Sequence, residues 1–263
     1  MSYAHTNGLD VSYEQHGAGD GTPLILLHGG IGGGEIVAAV APGLATGRRV
    51  IVPDLQGHGR TAGIDRPLRA EHLADDVAGL LEQLGLQRAD VMGYSLGGEV
   101  AWRVAIQHPD RVRRLVVISA AGRRDGSFPE VVAAMDQMSA AMAPMMEQSP
   151  YYRHYAQVAP RPQDWADHVG RTADMLKIDF DWTDQVAAIE APTMLVFADS
   201  DSVMPDHVAE LFRLLGGGLR DPGVDRAHLP AARLAVLPGR THYDIIEAPG
   251  LVPAVLPFLD DQG

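Results

Sequence analysis

Short apolar runs alternate along this chain with stretches of helical spacing, and that alternation points to a parallel sheet joined by crossover helices. Six runs read as buried strands: Leu24-Ile25-Leu26-Leu27, Arg49-Val50-Ile51-Val52, Ala89-Asp90-Val91-Met92, Leu115-Val116-Val117-Ile118, Met194-Leu195-Val196-Phe197 and Arg233-Leu234-Ala235-Val236-Leu237. Between them Leu73, Val77, Leu80, Leu81 and Leu84 recur at helical spacing and stop at Gly85. The opening is different. Val11 to Glu14 follows the turn signal Asn7-Gly8, which predicts an antiparallel hairpin. Leu251 to Leu259 predicts a closing helix, although Pro253 and Pro257 work against it.

One region breaks the pattern. From Arg123 to Glu190 there is no convincing strand, while Val131, Ala134, Met135, Met138, Met142 and Met145 fall on one helical face until Pro144 disturbs it. The expected organisation is therefore a core of residues 1–122 and 191–263 interrupted by a helical cap, 123–190, at one end of the sheet. Met135, Met138 and Met142 are expected to line an adaptable apolar pocket; ordinary internal packing is the blander account of the same residues.

Composition removes several classes of function. A chain of 263 residues buries a full core without covalent staples. With no cysteine, a disulfide scaffold, thiolate metal sites and a cysteine nucleophile are excluded together. The formal charge of −13 repels phosphate backbones and anionic membranes, arguing against nucleic-acid and membrane partners. The first residues have neither a basic start nor an apolar stretch, so a cytoplasmic location is expected. No ligand-spaced cluster of the H-E-x-x-H kind, no P-loop and no dinucleotide fingerprint occurs, so neither metal nor cofactor is expected.

The strongest chemical signal is Gly93-Tyr94-Ser95-Leu96-Gly97, which fits G-x-S-x-G. It follows the run ending at Met92 and precedes the helical pattern Glu99 to Gln107, the strand–turn–helix context the motif requires. Such a tight turn strains the serine backbone and leaves no room for bulk two residues to either side. A serine hydroxyl is a poor nucleophile until a base takes its proton. Of eleven histidines, His242 stands just after the last strand run, on the sheet end where parallel strands release their loops and where Ser95 lies. His228 precedes that strand and belongs to the opposite end. The imidazole in turn needs a carboxylate to hold its tautomer. Asp199 and Asp201 both follow the run Met194 to Phe197, and spacing barely separates them. Glu35 and Glu99 also flank this region, and are expected in first helical turns, where the helix dipole favours negative charge.

With these residues in place the chain resembles the α/β-hydrolase fold family nearly end to end. His28-Gly29-Gly30 resembles its HG oxyanion loop, and Asp54-Leu55-Gln56-Gly57-His58-Gly59-Arg60-Thr61 its D-x-x-G-H-G-x-S/T turn. Pro192-Thr193-Met194-Leu195-Val196 leading to Asp201-Ser202-Val203-Met204-Pro205 resembles its P-T-L-L-V and D-x-V-x-P stretch, with Ala198 where glycine is usual. The resemblance implies a mostly parallel eight-stranded sheet with helices on both faces. It favours Asp201 over Asp199 as the triad acid. It also implies an oxyanion hole from the backbone N–H groups of Gly30 and Leu96.

Serine at the elbow argues against the aspartate-dependent dehalogenases and epoxide hydrolases of this fold. The expected function is hydrolysis of a carboxylic ester of a small or medium, largely apolar substrate. Ser95 would be the nucleophile, His242 the base and Asp201 its orienter. Lactone, thioester and carbon–carbon bond hydrolysis and cofactor-free perhydrolysis stay open, as does a slow-turnover small-molecule sensor. The oligomeric state is open too, a homodimer included.

Overall fold

A computed structural model describes residues 1–261. The hairpin forms as expected: β1 (Ser2–Thr6) and β2 (Leu9–His16) pair antiparallel, with Asn7 and Gly8 both at positive φ in the turn. Six further strands follow: β3 (Gly21–Leu27), β4 (Arg48–Pro53), β5 (Ala89–Tyr94), β6 (Val112–Ile118), β7 (Thr193–Ser200) and β8 (Arg233–Thr241). They form one sheet in the order β1-β2-β4-β3-β5-β6-β7-β8, parallel from β4 to β8. The order reverses beside β3, and the carboxyl ends at such a switch point are where open α/β sheets bind their ligands.

Helices cover both faces. On one lie α1 (Glu35–Ala38), α2 (Ala41–Leu44) and the closing helix, Leu251–Asp260, packed over Leu24, Leu26, Val50, Met92 and Val116. On the other, α3 (Ala70–Gln83) and α4 (Leu96–Gln107) bury Leu73, Leu80, Val100 and Trp102 against Ile25, Val91 and Val117. The alternating faces of each strand thus feed two separate cores, which is why the strand runs are apolar throughout rather than alternating. The closing helix tolerates Pro253 because it falls in the first turn, where the missing N–H has no intrahelical partner; Pro257 sits inside it.

Between β6 and β7 the chain is helical: α5 (Pro129–Gln137), α6 (Ala143–Met146), α7 (Pro150–Val158), α8 (Trp165–Leu176) and α9 (Thr183–Ala187). This insertion has a small core of its own in Ala143, Tyr155, Trp165 and Val169. The continuous methionine helix suggested by sequence does not form. The backbone turns extended at Met138 (φ −64°, ψ 138°), a 3₁₀ turn spans Ala140–Met142, and Pro144 falls in the first turn of the next helix. Met145, expected on the shared face, is exposed instead. The chain resumes the parallel pattern with α10 (Pro205–Leu214) between β7 and β8.

Candidate active site

Four strand ends converge on one point. Ser95 leaves β5 with φ 54° and ψ −122°, a backbone conformation that L side chains rarely adopt. The glycines around it make the turn possible. A Cβ on Gly93 would lie 1.9 Å from the Gly97 carbonyl oxygen, and one on Gly97 would lie 2.5 Å from that of Leu27. The Ser95 N–H is fixed on the neighbouring strand by the Ile118 carbonyl at 2.9 Å. Ser95 Oγ then stands 3.0 Å from His242 Nε2, within reach for the hydroxyl to donate its proton.

His242 is held from several directions. Its carbonyl accepts a 2.7 Å bond from the Tyr94 hydroxyl. Its Nδ1–H has two acceptors, Ser202 Oγ at 2.8 Å and Asp201 Oδ1 at 3.3 Å. The Asp201 carboxylate is buried and also accepts from Ser119 Oγ at 2.5 Å, Ala198 N–H at 2.9 Å and Ser202 N–H at 2.8 Å. Burial alone would push this carboxyl up; the bonds from His242, Ser119 and Ala198 outweigh it and hold it below the ordinary aspartate value. Asp201 is therefore an anion, positioned to keep the His242 proton on Nδ1 and leave Nε2 free as an acceptor.

Asp199 has a different place. It is exposed and accepts the N–H groups of Gly239 and Arg240, at 2.9 and 3.2 Å, in the turn that delivers His242. Gly30 lies against Leu96, with a Cβ built on it 3.8 Å from that of Leu96. Among the described residues neither of these two amides is engaged by a protein acceptor. Next to Gly30 the chain takes positive φ at Ile31, and the His28 ring fixes the loop by donating to the Gly29 carbonyl and accepting from Leu55 N–H.

A cavity of about 1390 Å³ opens over Ser95 and His242. Met135 and Met138 line it, together with Met146 and Tyr151; Met142 does not, because the break at Met138 carries it out of the wall. Four contributors escaped the sequence reading. Ser119 and Ser202 carry no motif of their own, although each adjoins a strand end or a named acid. Thr172, in the cavity wall beside Gly30, has a buried hydroxyl without a partner. His154 of α7 reaches Glu35 at 3.1 Å, and Glu35 in turn accepts the Gly33 N–H. Among the described residues no group of three or more His, Asp or Glu side chains is arranged to hold a metal ion.

A model of the α/β hydrolase fold matches residues 22–164, more than half the chain. The chain belongs to the α/β-hydrolase fold family. As a hydrolase of this fold it resembles a protein of Azorhizobium caulinodans named as a carbamate hydrolase, RutD, with 28% identity over 226 residues, 80% of this chain and 84% of the other. It is 40% identical over 121 residues to a 2-hydroxymuconate semialdehyde hydrolase of a Pseudomonas strain, a match spanning 43% of this chain and 41% of that one. Among solved structures, the enol-lactonase of Burkholderia xenovorans superposes with a TM-score of 0.73 at 23% identity, over 98% of this chain and 100% of the other, a likeness of fold. Among the described residues no helix of this hydrolase is long and apolar enough to cross a membrane.

Proposed function

We propose that the protein is a serine hydrolase cleaving carboxylic esters of small or medium, largely apolar substrates. The observation that carries this reading is the 3.0 Å approach of Ser95 Oγ to His242 Nε2 at the wall of a large cavity. Ser95 attacks the acyl carbon as its proton passes to His242 Nε2, and the tetrahedral oxyanion is received by the N–H groups of Gly30 and Leu96. His242 then protonates the leaving alcohol, and a water deprotonated by the same ring releases the acid. Asp201 stabilises the imidazolium in both steps. Ser202 shares the Nδ1 proton and passes no charge of its own.

The helical insertion 123–190 acts in this reading as the cap, with Met135, Met138 and Met146 forming the acyl wall. The cavity exceeds the roughly 300–1,000 Å³ usual for small-ligand sites, which leaves room for both halves of the substrate. A carbamate substrate is the second reading, favoured by the relative that this chain matches over most of its length. A panel of p-nitrophenyl esters, lactones, thioesters and aryl carbamates decides between them. Multiple turnovers on esters, abolished in Ser95→Ala, are expected. Faster turnover of carbamates than of every ester would move the assignment to carbamates, and single-turnover labelling of Ser95 without release would make the protein a sensor.

A further inference from the structure

The mechanism leaves one acidic group in the cavity without work. Glu99 lies in the first turn of α4, which Ser95 precedes as the residue before the helix; its N–H donates to the Ser95 carbonyl at 3.0 Å, which places the two residues about one helical turn apart. Its side chain is half-buried and lines the same cavity. Among the described residues it accepts no hydrogen bond and makes no ion pair, whereas most other carboxylates this enclosed are tied down, as Asp54, Asp76, Asp90 and Asp201 are. Burial raises its carboxyl to about 7, and the like charge of Glu71 adds to the rise. A carboxylate that is desolvated and unpaired is costly to keep, and the structure offers no internal group that relieves it.

Most of the charged groups around this part of the wall are otherwise occupied. Arg103 of α4 bonds Gln107 and Gln185, lies 3.6 Å from Glu71 and stacks over Trp182. Arg124 is held by Asp136 and the Leu176 carbonyl, and Asp181 by Thr183. His72 bonds the Pro67 carbonyl. Arg69 is exposed at the start of α3 and makes no ion pair with Glu99, and Asp179 adds a further acid to the lining. No side chain of the fold is bonded to Glu99, so what neutralises it is either a proton or a cation brought into the cavity.

We infer that Glu99 is a specificity-determining residue that receives an ammonium group of the substrate about one helical turn from the acyl carbon attacked by Ser95. This rests on the ester-hydrolase reading and narrows it: the favoured substrates carry a cationic nitrogen, and anionic ones are disfavoured. A bound ammonium supplies the countercharge and the hydrogen bonds that the fold withholds, and a charge-assisted bond in a desolvated wall is stronger than a neutral one.

The test compares p-nitrophenyl 6-aminohexanoate with the heptanoate and with the adipate half-ester, as ratios of kcat/KM from pH 5.5 to 8.5. The amine stays protonated throughout, and whatever His242 contributes to the rate cancels in the ratio. In the wild type the ammonium-to-methyl ratio should rise by about 10–100-fold with pH, with its midpoint near 7 as Glu99 ionises. In Glu99→Gln the ratio should be flat, any residual preference reflecting only the overall −13 charge. Glu71→Gln should move the midpoint to lower pH, a change that a merely structural role would not produce. A flat wild-type ratio, the same rise in Glu99→Gln, or a preference for the adipate half-ester overturns the assignment. Calorimetric binding of 6-aminohexanamide and heptanamide to the Ser95→Ala protein reads the same preference without turnover. Failure of the ester reading thus shows as no turnover of any ester, and failure of the Glu99 assignment as equal binding of the two amides.

Discussion

At the scale of single residues, two aspartates three positions or fewer from one strand end do different things. Asp201 faces the ring that Ser95 needs; Asp199 clamps the turn from which that ring hangs. Ser95→Ala should lower kcat by on the order of 10⁵–10⁶. Asp201→Asn should cost about 10⁴, because an amide no longer favours the tautomer with the proton on Nδ1. Asp199→Asn keeps an oxygen to accept the Gly239 or Arg240 N–H, so kcat should stay within about tenfold of the wild type, a rise of no more than about 1.4 kcal/mol in the barrier. Steady-state kinetics of the three variants checks the order, and greater damage from Asp199→Asn would reassign the acid. Residue spacing alone left this choice open, since either carboxylate could follow the strand; what separates them is the turn geometry after Ala198, where backbone and serine donors converge on Asp201. Ser119 and Ser202 were illegible for the same reason. A serine next to a strand end is ordinary until the fold brings another strand end against it.

At the scale of elements, the strands and the elbow could be read because each is set locally. The runs from Leu24 to Leu27 and from Val91 to Met92 are apolar on both faces, and the glycines at 93 and 97 announce a turn that would clash with any Cβ. The insertion could not be read in this way. Its methionines keep helical spacing across Met138, yet the backbone there is extended, and nothing in an apolar pattern encodes where a helix stops inside it. The consequence is specific. Met138 both lines the cavity and packs against the small core of Ala143, Tyr155, Trp165 and Val169. Met138→Ala should therefore shift the preferred acyl length, by no more than the roughly 10–200-fold that one or a few methylenes provide. It should also lower the Tm, since large-to-alanine changes at fully buried sites cost about 2–5 kcal/mol and this half-buried one should fall at or below the low end. Met142→Ala, outside the wall, should leave the chain-length profile unchanged. A chain-length series measured beside thermal melts separates the two variants, and a shifted profile in Met142→Ala would place that residue back in the pocket.

At the scale of the whole molecule, the site is bound to the rest of the fold through a set of buried histidine rings in contact. His28, His58 and His168 stand ring against ring, with centroids 5.1 and 4.5 Å apart, joining the loop before Gly30 to the turn at His58 and to α8 of the insertion. Burial holds His58 well below the ordinary histidine value and His168 at about 4, and His207 in the first turn of α10 is lowered by burial as well. Each is neutral in the native state while its unfolded counterpart takes up a proton near 6.5, so acidification from about 6.5 towards 4 removes stability. For His168 alone the full loss is about 3 kcal/mol. Glu99 runs the other way. Its native value of about 7 lies above the ordinary 4.5, so between these limits the native state binds the proton more tightly and acidification adds stability. The two effects overlap between about 4.5 and 6.5 and partly cancel. Glu99→Gln removes the counterweight. Its Tm should equal or exceed that of the wild type at pH 8, where the native wild type has to hold a buried charge, and should fall more steeply than the wild type between pH 6.5 and 5. Thermal melts of both proteins across that range make the comparison, and parallel Tm curves would mean that Glu99 is as well solvated in the folded protein as in the unfolded chain.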